Sequence, residues 1–323
     1  MANRPSSGAR ASGMAGAVLG AAAGAALGAV AARLAYAAFR RRPPLLTAKA
    51  QGDAKAQGDG KARGDGKAAD RYWTRTNHRG EPVTLLEGPA LVAGAGAAVA
   101  LVPGVPGRVR AAALLAGTGS GILGAYDDVF GTATSKGFKG HLSALARGEV
   151  TSGAVKILGV GATGLAAAAL TPRDGRRAVR TLDTLADGAL IAGSANLANL
   201  FDLRPGRAVK AGMLAGVPLL AASLTSHRRG AAVLAAIPLG AAAALLPEDL
   251  GERAMLGDAG ANALGALLGL AATARLGRAG RLTALGAVAA LTLASEKVSF
   301  TKVIAGNRVL NRLDMLGRRP VES

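Results

Sequence analysis

The sequence predicts an all-α protein, a polytopic membrane helix bundle with about nine transmembrane helices. Half of the 323 residues are hydrophobic and only 18% are charged, a balance more typical of membrane proteins than of soluble ones. Nine apolar segments also alternate with polar connections, and most of them approach the ~20 residues that one crossing needs. These segments lie at 13–32, 84–103, 111–126, 152–170, 183–201, 211–224, 231–246, 259–274 and 282–295.

Composition limits the chemistry that the chain can carry. It has no cysteine, which excludes disulfides and thiolate metal sites, and only three histidines remain as nitrogen ligands. A bound metal ion would therefore be held by oxygen. The net charge of +19 does not indicate nucleic acid, because the Lys and Arg residues lie between apolar segments and form no basic face with interleaved aromatic residues. Membrane lipid and phosphate are the expected partners.

The first predicted transmembrane helix occupies residues 1–39. A glycine recurs there every four residues, which lines one helix face where a second backbone can approach closely. We predict a retained helix, and a secretory signal with a cleavage site at 35–37 is the alternative. The glycines are Gly16, Gly20, Gly24 and Gly28.

Residues 40–83 are predicted to form a cytoplasmic linker. Its centre is a low-complexity repeat of three Gly/Asp/Lys-rich hexads at 51–68, which can bury nothing and should be disordered. The end of the linker, 73–82, is either an interfacial anchor or a substrate-side loop. A membrane catalytic domain at 84–300 follows, and 301–323 reads as an amphipathic cytoplasmic tail.

Polar groups stand where three apolar segments begin or end. The pair Asp127 and Asp128 directly follows the uncharged run 111–126. Adjacent carboxylates near lipid are costly unless water, a cation or a phosphate-handling task meets them. Lys136 and Lys139 come next on a Gly-rich loop, which suits a phosphate. A positively charged loop neutralised by the two acids is the alternative.

The second group is Asn196, Asn199 and Asp202, whose three-residue spacing places them on one helix face. This face could bind a hydroxylated ligand or a hydrated Mg²⁺ ion, or make interhelical hydrogen bonds. The third is Asp258 at the start of 259–274, where a plain helix cap is the alternative. Alternation of crossings puts all three groups on one side of the membrane. The positive-inside tendency makes that side cytoplasmic.

In this order the groups resemble the motifs of a known family, the polyprenyl-phosphate N-acetylhexosamine-1-phosphate transferases of glycosyltransferase family 4. That family includes phospho-MurNAc-pentapeptide transferase. The resemblance runs from about Asn77 to Asp258 and beyond. It rests on the aspartate pair, the Asn-x-x-Asn-x-x-Asp element at 196–202 and the Met-Leu-Gly-Asp-x-Gly element at 255–260. Residues 76–80 are also similar to the substrate-side loop of some members.

The resemblance implies a multi-pass enzyme of the cell membrane with a cytoplasmic active face. Polyprenyl phosphate would attack the β-phosphate of a nucleotide-activated N-acetyl sugar and release a nucleoside monophosphate, in the assembly of peptidoglycan or another cell-wall polysaccharide. A homodimer is compatible with this. The implied site residues are Asp127 and Asp128 for catalysis, Asn77, Lys136, Lys139, Asn196 and Asp202 for substrate binding, and Asn199 and Asp258 for Mg²⁺.

One segment departs from the family pattern. After Asp202 the family continues Gly-x-Asp-Gly-Leu, whereas this chain has Leu-Arg-Pro-Gly-Arg at 203–207. A carboxylate and a glycine that help to hold uridine are thereby missing, so we expect a donor site that tolerates other nucleotides. The histidine-rich cytoplasmic loop of many members is also missing. The alternative function is a catalytically degenerate relative that binds polyprenyl phosphate or serves as a partner in wall assembly.

Overall fold

The computed structural model describes residues 7–44, 72–131, 146–148, 151–171, 177–225 and 229–320. Most of these residues are helical, as the sequence predicts. Their two strands form one short antiparallel hairpin, β1 (Thr74–Thr76) and β2 (Pro82–Thr84). The helices are α1 (Ser7–Arg41), α2 (Glu87–Leu101), α3 (Gly107–Leu114), α4 (Ser120–Phe130), α5 (Ser152–Leu170), α6 (Arg177–Phe201), α7 (Arg207–Leu224), α8 (Arg229–Leu250), α9 (Gly257–Arg275), α10 (Arg278–Ser295), α11 (Phe300–Gly306) and α12 (Arg308–Met315).

Each of the nine predicted apolar segments overlaps a helix, but nine membrane crossings are not confirmed. Within the described residues, four helices are long and apolar enough to cross a membrane: α1, α5, α7 and α8. The pair α10 and α11, bent by 95°, makes a fifth if it is one span. The others fall short for physical reasons. For example, α2 has only 15 residues, and a π-helical turn separates α3 from α4.

Helix α9 is the centre of the bundle. It packs against α2, α4, α6, α7 and α8, and almost every side chain from Gly257 to Ala271 is buried. So many neighbours fit around one helix because the facing residues are small. A Cβ added at Gly88, Gly124 or Gly265 would overlap backbone atoms of the facing helix, so these glycines permit the close approach.

The predicted glycine face of α1 lies against α8. A Cβ at Gly24 would stand 3.2 Å from the Ile237 side chain, and one at Gly28 would stand 2.5 Å from the Ile237 carbonyl oxygen. Gly20 faces Val233 in the same way, whereas Gly16 has no neighbour within 4 Å. The close approach is therefore confirmed for three of the four glycines. Helix α1 also packs on α2.

After α10 the chain packs against the start of α7, and α12, with eight residues, is too short to cross a membrane. Asp314 of α12 is buried and accepts two hydrogen bonds from the Arg207 guanidinium, at 2.8 and 3.0 Å. Burial raises the pKa of Asp314, but the hydrogen bonds and charge of Arg207 outweigh it and hold this pKa below its usual range. On the other side of α12, Leu310 and Leu313 are exposed. The helix is amphipathic, as predicted for the tail.

Trp73 lies directly before β1, inside the protein and not at a lipid interface. Its side chain is only 3% exposed, and its indole N–H donates to the Pro44 carbonyl at 3.0 Å. The interpretation of 73–82 as an interfacial anchor is therefore wrong for its Trp. The indole packs the start of the hairpin against the helical core.

The contact of α1 with α8 generates the first test. We expect Gly28→Val to destabilise the protein by ~1–3 kcal/mol, since the added side chain overpacks against the backbone of α8. Gly16→Val is the matched control on the same face and should change stability by no more than ~0.5 kcal/mol. Thermal unfolding in detergent measures both. Equal unfolding temperatures for the two variants would contradict this packing.

Candidate functional site

The first turn of α9 is fastened by carboxylates from two other parts of the chain. Asp128, near the end of α4, accepts hydrogen bonds from the backbone N–H groups of Asp258, at 3.0 Å, and Ala259, at 2.9 Å. The preceding N–H, that of Gly257, donates to the Asp202 carboxylate. Gly257 has φ of +62°, and this left-handed conformation favours glycine. The Leu-Gly-Asp-Ala sequence thus forms a helix start that binds acids from outside.

Lys156 of α5 forms ion pairs with two further carboxylates, those of Asp127 and Asp258. Its ammonium lies 2.6 Å from the Asp127 carboxylate and also forms an ion pair with the Asp258 carboxylate. The three side chains are between 16% and 24% exposed, so they stand at the rim of the bundle and not in its interior. Asp258 lies in the first turn of α9, and the N-cap residue of this helix, Leu256, makes no side-chain cap hydrogen bond. We call Asp127, Asp128, Lys156 and Asp258 the acid–lysine cluster.

Two neighbouring residues hold the acid–lysine cluster in place. Gly124 lies against the backbone of Asp258, where any larger side chain would overlap it. Arg75 of β1 donates to the carbonyl oxygen of Asp128 and to that of Thr74, the latter at 2.8 Å. The hairpin is in this way tied to the end of α4.

A cavity of ≈ 90 Å³ lies at the same end of the bundle. Its polar lining comes from the hairpin turn, from the segment after α6 and from the end of α8. We call it the acidic cavity because three of its side chains are acids. Its lining residues are Thr76, Asn77, His78, Val83, Asp202, Leu203, Arg204, Pro205, Asp249, Glu252, Ala254 and Met255.

Asn77 lines the acidic cavity, but its amide is engaged within the protein. The amide N–H₂ group donates to Glu252 at 2.9 Å and to Glu81 at 3.2 Å. Its oxygen accepts from the backbone N–H groups of Arg79 and Glu81, both at 2.9 Å. The residue thus orders the turn between β1 and β2 and fixes Glu252 at the cavity wall.

Asp202 connects the acidic cavity with the acid–lysine cluster. It lines the cavity and accepts from the first amide of α9. Burial, followed by the nearby charges of Asp249, Asp258 and Asp128, raises its pKa well above the usual range. At His78, burial outweighs the charge of Glu252 and lowers the pKa of the imidazole. Arg204 is the cationic side chain among the described residues of the cavity wall.

The structure therefore brings Asn77, Asp127, Asp128, Asp202 and Asp258 to one end of the bundle. The amide residues Asn196 and Asn199 lie near the end of α6, half-buried, and no hydrogen bond of either side chain occurs within the described residues. Their predicted roles stay predictions. Lys136 and Lys139 lie outside the described residues.

Several site residues were missed by the sequence analysis. Lys156 gave a signal, because it is the one charged residue in the apolar segment 152–170. The sequence pointed less clearly to Asp249 and Glu252, since they follow Pro247 in a stretch that is typical of a solvent-exposed helix end. Arg75 gave none, because arginines are frequent throughout the linker and loops. In all these cases the missing information was which distant element each residue would meet.

No protein-family model matches the sequence, and no curated protein matches it. A function for the protein therefore has to be argued from the geometry of the site and from the sequence motifs.

The ion pairs of Lys156 generate a second test. Lys156→Met leaves the carboxylates of Asp127 and Asp258 facing each other without a cation. We expect a loss of ~1–3 kcal/mol of unfolding free energy, less than the ~3–5 kcal/mol typical when a fully buried pair is broken, because water reaches this cluster.

Adding Asp127→Asn to Lys156→Met should recover part of that loss, since one of the two repelling charges is then removed. Lys297→Met, at an exposed lysine, is the control and should be close to neutral. Thermal unfolding in detergent compares the four proteins. A double variant that is no more stable than the single one would show that the cluster is not held by charge.

Proposed function

We propose that the protein is a phospho-N-acetylhexosamine transferase of the membrane, similar to glycosyltransferase family 4. It transfers a sugar phosphate from a nucleotide-sugar to polyprenyl phosphate and releases a nucleoside monophosphate. The observation that carries the proposal is the acid–lysine cluster. Asp127 and Asp258 come from motifs about 130 residues apart, in the order that the resemblance requires, and they meet at Lys156. Asp128 binds the backbone at the start of the helix that carries Asp258.

The cluster has the chemistry that phosphoryl transfer needs. Such reactions proceed mainly by positioning of the reactants and by neutralisation of charge on the phosphate oxygens. Lys156 is a cation at the rim of the bundle, where a lipid phosphate can arrive from the side. The acidic cavity lies next to it through Asp202 and leaves space for part of the donor.

The donor set also fits a magnesium ion. Mg²⁺ in phosphate-handling sites is usually held by one or two carboxylates together with substrate phosphates and water. Asp127 and Asp258 already share one cation, the Lys156 ammonium, so their oxygens converge on a common point. The described residues contain no group of three His, Cys, Asp or Glu side chains that could hold a metal ion without a substrate. When bound with the substrate phosphates, the ion would supply charge neutralisation.

The residues of the cluster then have separate tasks. Asp127 orients the lipid phosphate or accepts its proton. Asp128 positions the start of α9 through its two backbone hydrogen bonds and thereby sets the place of Asp258. Lys156 pairs with the carboxylates in the free protein and turns to the phosphates when they bind. Asp202 belongs to the donor side.

The setting that goes with this function is the cell membrane. We propose that the end carrying the cluster faces the cytoplasm, where nucleotide-sugars are made, and that the product serves cell-envelope polysaccharide assembly.

A second candidate is a non-catalytic relative that binds polyprenyl phosphate or a wall-assembly partner. It is favoured by the segment at 203–205, where leucine and proline replace the glycine and acid of the family pattern. Release of UMP from UDP-GlcNAc, or of the corresponding monophosphate from other nucleotide-sugars, in membranes supplied with polyprenyl phosphate separates the two candidates. Turnover supports the transferase, and lipid binding without turnover supports the relative.

Asp258→Asn is the decisive variant for the proposed chemistry. It keeps the shape of the side chain but removes the charge that a hard cation binds, so magnesium-dependent turnover should fall by about a hundredfold or more. Glu296→Gln, at an exposed acid outside the site, is the matched control and should keep full turnover. Undiminished turnover of the Asp258 variant at limiting Mg²⁺ would remove this residue from the metal site.

A further inference from the structure

Helix α12 carries apolar side chains that the described residues leave uncovered. Val309, Leu310 and Leu313 are between 41% and 67% exposed, and Leu316, directly after the helix, is 68% exposed. Helical spacing places Val309, Leu313 and Leu316 on one side, whereas the buried Asp314 faces the protein. The apolar face of α12, which consists of these four apolar residues, therefore points away from the bundle.

The course of the chain brings α12 to the membrane surface. The pair α10 and α11 is apolar enough for one crossing but is bent by 95°, so α11 turns from the direction of a crossing helix into the plane of the membrane. Its start is fixed at the polar end of the bundle, where Phe300 stacks on Phe201 with ring centroids 5.0 Å apart. The Thr301 hydroxyl accepts a hydrogen bond from Arg207 at 2.9 Å. Helix α12 follows after Asn307, whose side chain caps it.

The charges of this part of the chain suit an anionic surface. Residues 300–320 contain five cations and a single acid. That acid, Asp314, is turned inward and neutralised by Arg207 at 3.0 Å. Arg308 and Arg312 are exposed, so the outer side of α12 combines apolar residues with positive charge only. This combination is typical of helices that lie on membranes containing anionic lipid.

A protein partner fits the apolar face of α12 less well. Eight residues give a helix ~12 Å long, and its outer side is far smaller than the ~800 Å² that each partner contributes to a stable protein interface. A lipid surface already surrounds a membrane protein, so α12 needs only to extend an existing contact.

The inner side of the tail is fastened to the wall of the acidic cavity. The guanidinium of Arg319 pairs with Glu81 of the hairpin turn at 2.5 Å. The carbonyl oxygens of Arg319 and Pro320 accept hydrogen bonds from Arg79 at 3.1 and 2.8 Å. Arg79 also pairs with Glu252 at 3.1 Å, and Glu252 lines the cavity. The position of the tail and the position of this wall are therefore linked.

We propose that α12 binds the anionic lipid surface beside the bundle, through its apolar face and through Arg308 and Arg312, and that this binding holds the hairpin in place at the acidic cavity. The inference is independent of the proposed function, because it does not depend on what the cavity binds. Each Lys or Arg near an anionic surface strengthens binding by about fivefold, so the two arginines should favour the bound helix by about tenfold or more.

A fluorophore on α12 tests the contact with lipid, since the chain has no native cysteine. Leu313→Cys carries an environment-sensitive label in the full-length protein, reconstituted in nanodiscs. We expect the label to be shielded from acrylamide quenching in discs that contain about one third phosphatidylglycerol, and accessible in discs of phosphatidylcholine alone. Asn311→Cys is the matched control. This exposed position lies on the other side of the helix and should stay accessible in both lipids.

Reversal of the two charges tests the role of the arginines. Arg308→Glu with Arg312→Glu should leave the label at position 313 accessible in the anionic discs. Arg177→Glu with Arg180→Glu is the control, because it changes the net charge equally at exposed arginines in the first turn of α6. This control should keep the label shielded. Unfolding temperatures check that all variants are folded.

Hydrogen exchange of the hairpin in the same discs tests the link to the cavity. We expect the amides of residues 74–84 to exchange several-fold more slowly in the anionic discs, and the charge-reversed variant to lose this difference. Equal quenching of the position-313 label in the two lipids, or hairpin exchange that does not respond to lipid charge, would overturn the inference. Shielding that depends on protein concentration and not on lipid charge would assign the face to a second copy of the chain and would also overturn it.

Discussion

The first turn of α9 and the carboxylates bound to it hold the polar end of the bundle together. Three successive backbone N–H groups of this turn donate to Asp202 and Asp128, and the side chain of Asp258 pairs with Lys156. A helix start carries partial positive charge and unpaired donors, so it neutralises acids that would otherwise be costly beside lipid. The elements α4, α5, α6 and α9 are joined at this one place.

This arrangement requires close packing, which explains the unusual composition. The chain has 47 glycines, and several of them lie where a Cβ would overlap a neighbouring backbone. Gly88 and Gly124 let α2 and α4 approach the start of α9, and Gly28 lets α1 approach α8. In lipid, helices gain little from hydrophobic burial against each other, and contact between small residues supplies much of their association. The glycines are therefore required for the site, because they let the helices that carry the acids approach each other closely.

A site residue could be predicted from the sequence only where the residues next to it in the chain set it apart. The acids Asp127, Asp202 and Asp258 stand out because each ends or begins an apolar segment, and alternation of crossings places them on one side. Lys156 could not be assigned, since nothing in a single helical segment tells which distant carboxylates it meets. Nine crossings are not confirmed, because an apolar segment predicts a helix and not necessarily a crossing. Helix α9 is almost entirely buried among other helices and is not among the described helices that are long and apolar enough to cross a membrane.

The meeting of Asp127 and Asp258 at one cation can be measured directly, because the chain has no native cysteine. With Asp127→Cys and Asp258→Cys in one protein, a short bis-maleimide should cross-link the two thiols within the molecule. The control pair, Asp127→Cys with Arg177→Cys, should not be cross-linked, because α6 spans 25 residues, or ~37 Å, and places position 177 at the opposite end. Reaction of both thiols of the first pair with a monofunctional maleimide, without any cross-link by the short reagent, would contradict the central contact.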